Sequence, residues 1–165
     1  MDIINLLEKL ERVYGSNITI SELITIINNK DNYIDIYTDG SSYYDGVRRY
    51  SGIGVFFGDN NKRNISALVG DTNNNESEIL ACIEALKIIK DEYYFVNIYT
   101  DSRLVTDGMN KICSITKFGD LFEQINELAN SFVKINWILV KGHSGIYGNE
   151  KADELSRQYY KEIGK

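Results

Sequence analysis

Two stretches of the chain nearly repeat each other: Ile34-Asp35-Ile36-Tyr37-Thr38-Asp39-Gly40-Ser41 and Val96-Asn97-Ile98-Tyr99-Thr100-Asp101-Ser102. Each has the composition of a buried strand and ends on Thr-Asp followed by a small residue. In an open α/β sheet, ligands collect outside the carboxyl ends of the parallel strands. If these two strands are neighbours, about 5 Å apart, Asp39 and Asp101 project into one crevice. Either aspartate alone is equally well read as a cap for the turn or helix that follows it.

The remaining pattern predicts what surrounds this pair. Tyr33 to Thr38 and Gly52 to Phe57 read as strands separated by the turn dipeptide Asp45-Gly46. Asp59-Asn60-Asn61 then turns into Asn64 to Val69, completing a three-strand antiparallel meander. Glu78 to Lys90 reads as a helix with Ile79, Ile83, Leu86 and Ile89 on one face. Phe95 to Thr100 and Ile135 to Val140 read as strands, and Leu104 to Asn110, Leu121 to Phe132 and Glu150 to Tyr160 as helices. The order predicts an α/β fold with a mixed sheet, its parallel part built from the strands ending at Asp39, Asp101 and Val140.

Residues 1–32 differ. Ile3, Leu6, Leu7, Leu10 and Val13 fall at helical spacing up to Gly15, and a second helix follows through Leu23, Ile26 and Ile27, with Thr19 and Glu22 spaced as a capping box. We expect an N-terminal helical extension over 1–32 on a main domain over 33–165. Residues 1–30 either pack on that domain as a helical hairpin or offer a docking element to a partner protein.

Further candidate chemistry lies in two places. Thr72-Asn73-Asn74-Asn75-Glu76-Ser77-Glu78 sets an acid into the start of an apolar helix face, where the helix dipole alone also favours a carboxylate. Lys141-Gly142-His143-Ser144-Gly145 opens a glycine-rich loop holding the single histidine of the chain, and Asn149-Glu150-Lys151-Ala152-Asp153 begins the last helix. From there Asp153 is positioned to point back toward the carboxyl edge of the sheet. A loop histidine alone is as readily a solvated side chain.

Taken in order, Asp39-Gly40-Ser41, Asn74-Asn75 with Glu78, Thr100-Asp101-Ser102, the Gly-His-Ser-Gly string and Gly148-Asn149-Glu150-Lys151-Ala152-Asp153 resemble type 1 ribonuclease H over Asp35 to Tyr160. The resemblance implies a ribonuclease H-like fold, a five-stranded mixed sheet flanked by helices. It also implies an endoribonuclease that hydrolyses the RNA strand of RNA–DNA hybrids, leaving 5′-phosphate and 3′-hydroxyl ends. Asp39, Glu78, Asp101 and Asp153 would be catalytic and hold two Mg²⁺ ions, with Mn²⁺ as a substitute. Asp39 would lie between the ions, and Asp153 on the ion that serves the attacking water. His143 would assist proton transfer or product departure. Gly40, Ser41, Asn74, Asn75, Ser102 and Asn149 would contact substrate, largely through the 2′-hydroxyls of the hybrid minor groove.

Charge supports the need for cations. Eighteen Lys and Arg against 24 Asp and Glu give a net charge of −6, which excludes a bulk electrostatic grip on nucleic acid. Four converging carboxylates require counter-charge, and oxygen-only donors suit Mg²⁺ or Mn²⁺. Where many relatives insert a basic, Trp-bearing protrusion, Lys111 to Asp120 is short and carries only Lys111 and Lys117. Where the family often places a phosphate-holding Thr, this chain has Asn73, next to Thr72 and Asp71. Phosphate contacts are therefore expected from Arg48, Arg49, Arg103, Lys141 and Lys151, giving weak, distributive binding with a shallow salt dependence.

The rivals are a junction resolvase or integrase-like core of the wider superfamily, and a catalytically silent hybrid binder or scaffold. The Gly-His-Ser-Gly string argues against the first, and the presence of all four acids against the second. A dinucleotide site on Gly52-x-Gly54 fails because no helix follows that strand. Cys82 and Cys113 form no metal-spaced pair and suggest a reducing compartment. No apolar run reaches membrane-spanning length, and the N-terminus does not begin like a signal peptide. We expect a monomer with no membrane partner, intracellular and cytoplasmic (nuclear if eukaryotic or viral).

Overall fold

The sheet is held by helices on both faces, and the sequence shows how at its central strands. Strand β1 (Tyr33–Tyr44) is buried on both faces from Thr38 to Ser41, and β2 (Arg49–Phe56) from Ser51 to Phe56. A computed structural model of the chain describes residues 8, 10–12, 14–16, 19–90 and 92–159. With β3 (Ile65–Gly70), β4 (Phe95–Thr100) and β5 (Lys134–Leu139), they form a five-stranded sheet in the order β3-β2-β1-β4-β5. The β1–β2 and β2–β3 pairs are antiparallel, and β1–β4 and β4–β5 are parallel, the mixed sheet expected from the sequence.

The end of β1 differs from the expectation. The strand does not stop at Asp39-Gly40 but continues to Tyr44, because its two neighbours part company there. Parallel pairing with β4 ends at Tyr37↔Tyr99, while antiparallel pairing with β2 runs on from Tyr37↔Phe56 to Tyr44↔Arg49. Asp39 thus sits at a fork, inside a strand yet just beyond its parallel partner. The true turn is Asp45-Gly46: the Asp45 carboxylate accepts from the N–H groups of Val47 and Arg48, both at 2.7 Å, and Gly46 takes φ +100°.

Helices also begin earlier than expected. Helix α1 spans Ile20–Asn28, α2 Asn74–Ile89, α3 Arg103–Met109, α4 Gly119–Ala129 and α5 Tyr147–Arg157. Helix α2 starts at Asn74 because the Asn73 side chain caps it, accepting from Glu76 N–H at 3.0 Å. Its face of Ile79, Cys82, Ile83, Leu86 and Ile89 is buried against Ile36, Val55, Val96 and Ile98 of the sheet and Phe122 and Ile125 of α4. Helix α5 covers the opposite face over β1 and β2.

Both coverings depend on glycine. A Cβ on Gly40 would lie 2.2 Å from the Glu78 backbone nitrogen of α2. One on Gly52 would lie 2.1 Å from the Ser156 carbonyl oxygen, and one on Gly54 1.9 Å from that of Ala152, both in α5. Gly52-x-Gly54 is therefore the smooth bed on which α5 rests.

At the N-terminal end, the Thr19–Glu22 capping box forms: Thr19 N–H donates to Glu22 Oε2 at 2.8 Å, and Glu22 N–H to Thr19 Oγ at 3.3 Å. Leu10 and Leu23 join Phe95 and Val133 in a small separate cluster. Ile3, Leu6, Leu7 and Val13 of the expected first helix lie outside the described residues, as does Tyr160 at the expected end of the last. Among the described residues, no helix is long and apolar enough to cross a membrane.

Gly54→Ala forces a methyl against a backbone oxygen that cannot rotate away. Urea unfolding is expected to show a loss of roughly 3 kcal/mol.

Candidate active site

Three elements bring acids to the fork in β1. Asp39 leaves β1 on the face covered by α5. Glu78 is the fifth residue of α2, which the bare Gly40 allows to lie directly on β1. Asp101 follows the last residue of β4, where the Ser102 side chain caps α3 by accepting from Val105 N–H at 3.4 Å. One carboxylate oxygen from each of Asp39, Glu78 and Asp101 lies within 4.8 Å of the others. Asp39 and Glu78 are both 5% exposed.

Asp153 stands beside this triplet and outside its 4.8 Å grouping. It is the seventh residue of α5, and Arg157 one turn on holds its carboxylate at 2.6 Å. Asp153 still adds to the negative potential felt by Asp39 and Glu78. Burial pushes the Asp39 carboxyl up to about 7, and the charges of Asp101 and Asp153 push the same way. The Ser156 hydrogen bond and the Arg157 charge pull against it. Burial likewise raises Glu78 well above the ordinary carboxylate range, reinforced by Asp39 and Asp101 and eased by the Gly40 backbone N–H.

These residues fit a divalent cation. Glu78 Oε2 is buried and has no hydrogen-bond partner among the described residues, a costly state for a carboxylate oxygen unless it is a ligand. The donors are all oxygen, the set preferred by Mg²⁺ and Mn²⁺.

The expected substrate residues fall into two groups. Ser41, Ser102 and Asn149 are buried next to the acids, and their side chains are engaged inside the protein. Ser41 Oγ donates to the Ser156 carbonyl at 2.8 Å, Ser102 Oγ caps α3, and Asn149 Nδ2 donates to Asp101 Oδ2 at 3.3 Å. The Asn149 Oδ1 is buried without a partner among the described residues. Asn74 and Asn75 are instead exposed on the first turn of α2. They line a groove of about 530 Å³ with Tyr44, Arg49, Lys117 and Phe118.

The loop after β5 crosses Asp101 closely. A Cβ on Gly142 would lie 2.4 Å from Asp101 Oδ2, so a side chain there would press on that carboxylate. His143 follows, exposed and in the left-handed region at φ +49°. Of the cations expected to meet phosphate, Lys151 is paired with Glu154 at 2.7 Å, whereas Arg48, Arg49, Arg103 and Lys141 make no ion pair among the described residues.

Sequence reasoning missed Ser156. Its buried Oγ lies 2.6 Å from Asp39 Oδ2. The available signal was its spacing, three residues after Asp153 and so on the same helical face.

Comparison with known proteins agrees with this geometry. Residues 31–161 match the sequence profile of the RNase H family. The Ribonuclease H of Ehrlichia canis is 37% identical over 140 residues, covering 76% of this chain and 93% of that protein. That of Francisella philomiragia is 32% identical over 151 residues, covering 83% and 97%. Among solved structures, LC11-RNase H1, isolated from compost, superposes with a TM-score of 0.63 at 26% identity, covering 81% of this chain and 99% of that one. LC11-RNase H1 in complex with an RNA/DNA hybrid shares the fold at 22% identity, with a TM-score of 0.58 and coverage of 76% and 98%.

The raised acids have a pH signature. An acid whose folded pKa exceeds its unfolded value stabilises the native state when protonated and loses that contribution as pH rises between the two. For Asp39 the window runs from its ordinary 3.8 to about 7. In EDTA, Tm is expected to fall across that window, by free energy on the order of a few kcal/mol. Asp39→Asn should flatten the decline, and Mg²⁺ at pH 7.5 should raise the wild-type Tm. A wild-type Tm equally steep in Asp39→Asn would remove Asp39 as the cause.

Proposed function

Because the chain belongs to the RNase H family, we propose that it is a type 1 enzyme, a metal-dependent endoribonuclease that hydrolyses the RNA strand of RNA–DNA hybrids. The observation that carries this reading is the buried triplet Asp39, Glu78 and Asp101, with the unpartnered Glu78 Oε2 at its centre of need. Asp39, Glu78, Asp101 and Asp153 would hold two Mg²⁺ ions, for which Mn²⁺ can substitute. When bound, such ions activate water and neutralise the charge that develops on the scissile phosphodiester, giving 5′-phosphate and 3′-hydroxyl products.

The other residues take supporting roles in this reading. Asn149 orients the Asp101 carboxylate through its Nδ2 contact. His143, exposed on its glycine-flanked loop, is free to carry a proton or to ease product departure. Asn74 and Asn75 offer amides that both donate and accept, as a 2′-hydroxyl does. Gly40, Ser41 and Ser102 would meet substrate beside the acids, the two serines through their backbone because their side chains are engaged inside the protein. Residues 1–32 would be an N-terminal extension of the catalytic unit of 33–165, and the protein would act as a monomer.

The groove beside Asn74 also suggests how an acidic protein holds a polyanion. Arg49 and Lys117 face the same space and neither has an acidic partner among the described residues. They would hold backbone phosphates of the hybrid without a basic protrusion.

The decisive assay presents one labelled sequence as RNA–DNA hybrid, single-stranded RNA, duplex RNA and duplex DNA, each with Mg²⁺, Mn²⁺ or EDTA. Hybrid-only cleavage of the RNA strand is expected, requiring metal and falling by at least about 10³-fold in Asp101→Asn. Full activity in EDTA, or wild-type turnover by Asp101→Asn, would overturn the reading. The pair Arg49→Ala and Lys117→Ala together should raise KM several-fold with kcat little changed. It should also lower the log–log salt slope of binding by about one to two.

A further inference from the structure

Helix α5 meets the acidic cluster with Asn149, Asp153 and Ser156, four and three residues apart on one face. Asn149 and Asp153 carry polar groups with evident tasks. Ser156 is a small hydroxyl, fully buried, on a helix whose exposed face is strongly charged.

A serine within a helix ordinarily satisfies itself on a carbonyl of the preceding turn. That option exists here, since Ser156 Oγ is 3.0 Å from the Asp153 carbonyl oxygen. The contact to Asp39 Oδ2 is shorter, 2.6 Å, the length of a hydroxyl donating to a carboxylate. With one proton to give, the hydroxyl gives it to Asp39. Among the described residues it is the only side-chain donor to that carboxylate. An aspartate rotates about its last torsion with little intrinsic preference, so this bond decides the plane of the group.

The donor is itself immobilised. The Ser156 carbonyl accepts from Ser41 Oγ at 2.8 Å, and Gly52 brings β2 against the same carbonyl. Strand β1 therefore grips the residue that in turn orients the β1 aspartate.

We propose that Ser156 is a positioning residue for Asp39, fixing its carboxylate in the orientation that faces Glu78 and Asp101 and so raising the affinity of the triplet for a divalent cation. The inference rests on the reading of those acids as a cation site. Ser156 touches neither substrate nor reacting atoms and acts only through Asp39.

The test is ion binding by the full chain without nucleic acid, Mn²⁺ followed by electron paramagnetic resonance and Mg²⁺ by calorimetry. Ser156→Ala is expected to weaken the dissociation constant roughly tenfold with an unchanged circular dichroism spectrum. Ser156→Cys, nearly isosteric and a poor donor, should do the same and replaces it if the alanine variant does not fold. Ser66→Ala is the control for helix packing: Ser66 Oγ donates to the Leu155 carbonyl at 2.7 Å and ties α5 to β3 without approaching an acid. It should lower Tm and leave ion affinity at the wild-type value. Wild-type affinity in both Ser156 variants, or an equal loss in Ser66→Ala, would overturn the positioning role. A wild type that binds neither ion would overturn the cation-site reading beneath it.

Discussion

The close seating of two helices on glycine positions of the central strands is the constraint on which the rest depends. Side chains at positions 40, 52 and 54 would drive α2 and α5 away from β1 and β2, because each ideal Cβ falls within about 2 Å of helix backbone. Backbone cannot swing aside as a side-chain tip can. With the glycines in place, α2 delivers Glu78 and α5 delivers Asn149, Asp153 and Ser156 to the fork where β1 leaves β4. The bare face of the sheet and the acidic cluster are one design.

That cluster is electrostatically unfavourable on its own terms. Burial and mutual repulsion both act against ionised Asp39 and Glu78. The protein offsets little of this with its own cations: Arg157 is committed to Asp153, and the other described pairs lie on the surface. What it supplies are hydrogen bonds that orient the acids, from Ser156 to Asp39 and from Asn149 to Asp101, both from the helix that carries Asp153. Such an arrangement sets buried, oriented carboxylates where positive charge from outside the chain would be stabilising.

Much of this was legible in the sequence. The near-repeat around Asp39 and Asp101 marks two strands of one parallel sheet whose acids share a crevice if the strands are neighbours, and they do pair, from Tyr33↔Phe95 to Tyr37↔Tyr99. The apolar spacing of Ile79, Ile83, Leu86 and Ile89 gave the buried face of α2. The end of β1 was misread because Asp-Gly at 39–40 has the local chemistry of a turn, while its glycine serves helix packing and the turn waits for Asp45-Gly46. The start of α2 was placed late because Asn73, Asn74 and Asn75 look like loop, and capping by the first of them is visible only once its side chain meets Glu76 N–H. Ser156 was harder to find. Its spacing from Asp153 puts it on the right helical face, but its partner lies 117 residues away, and that spacing alone does not separate a core serine from one aimed at an acid.

The fork in β1 also orders events in time. Its β2 side is a hairpin closed by a short turn, whereas its β4 side joins residues 62 apart, as at Tyr33↔Phe95, and the Asp39–Ser156 contact joins residues 117 apart. Local pairings close at lower entropic cost than distant ones, so the meander can be in place before the acids meet. Repulsion absent from the transition state does not slow folding; it lowers the barrier to coming apart. Acids that meet only after the meander has formed would therefore leave the rate of assembly unchanged and set how long the fold lasts, longer with counter-charge than without it.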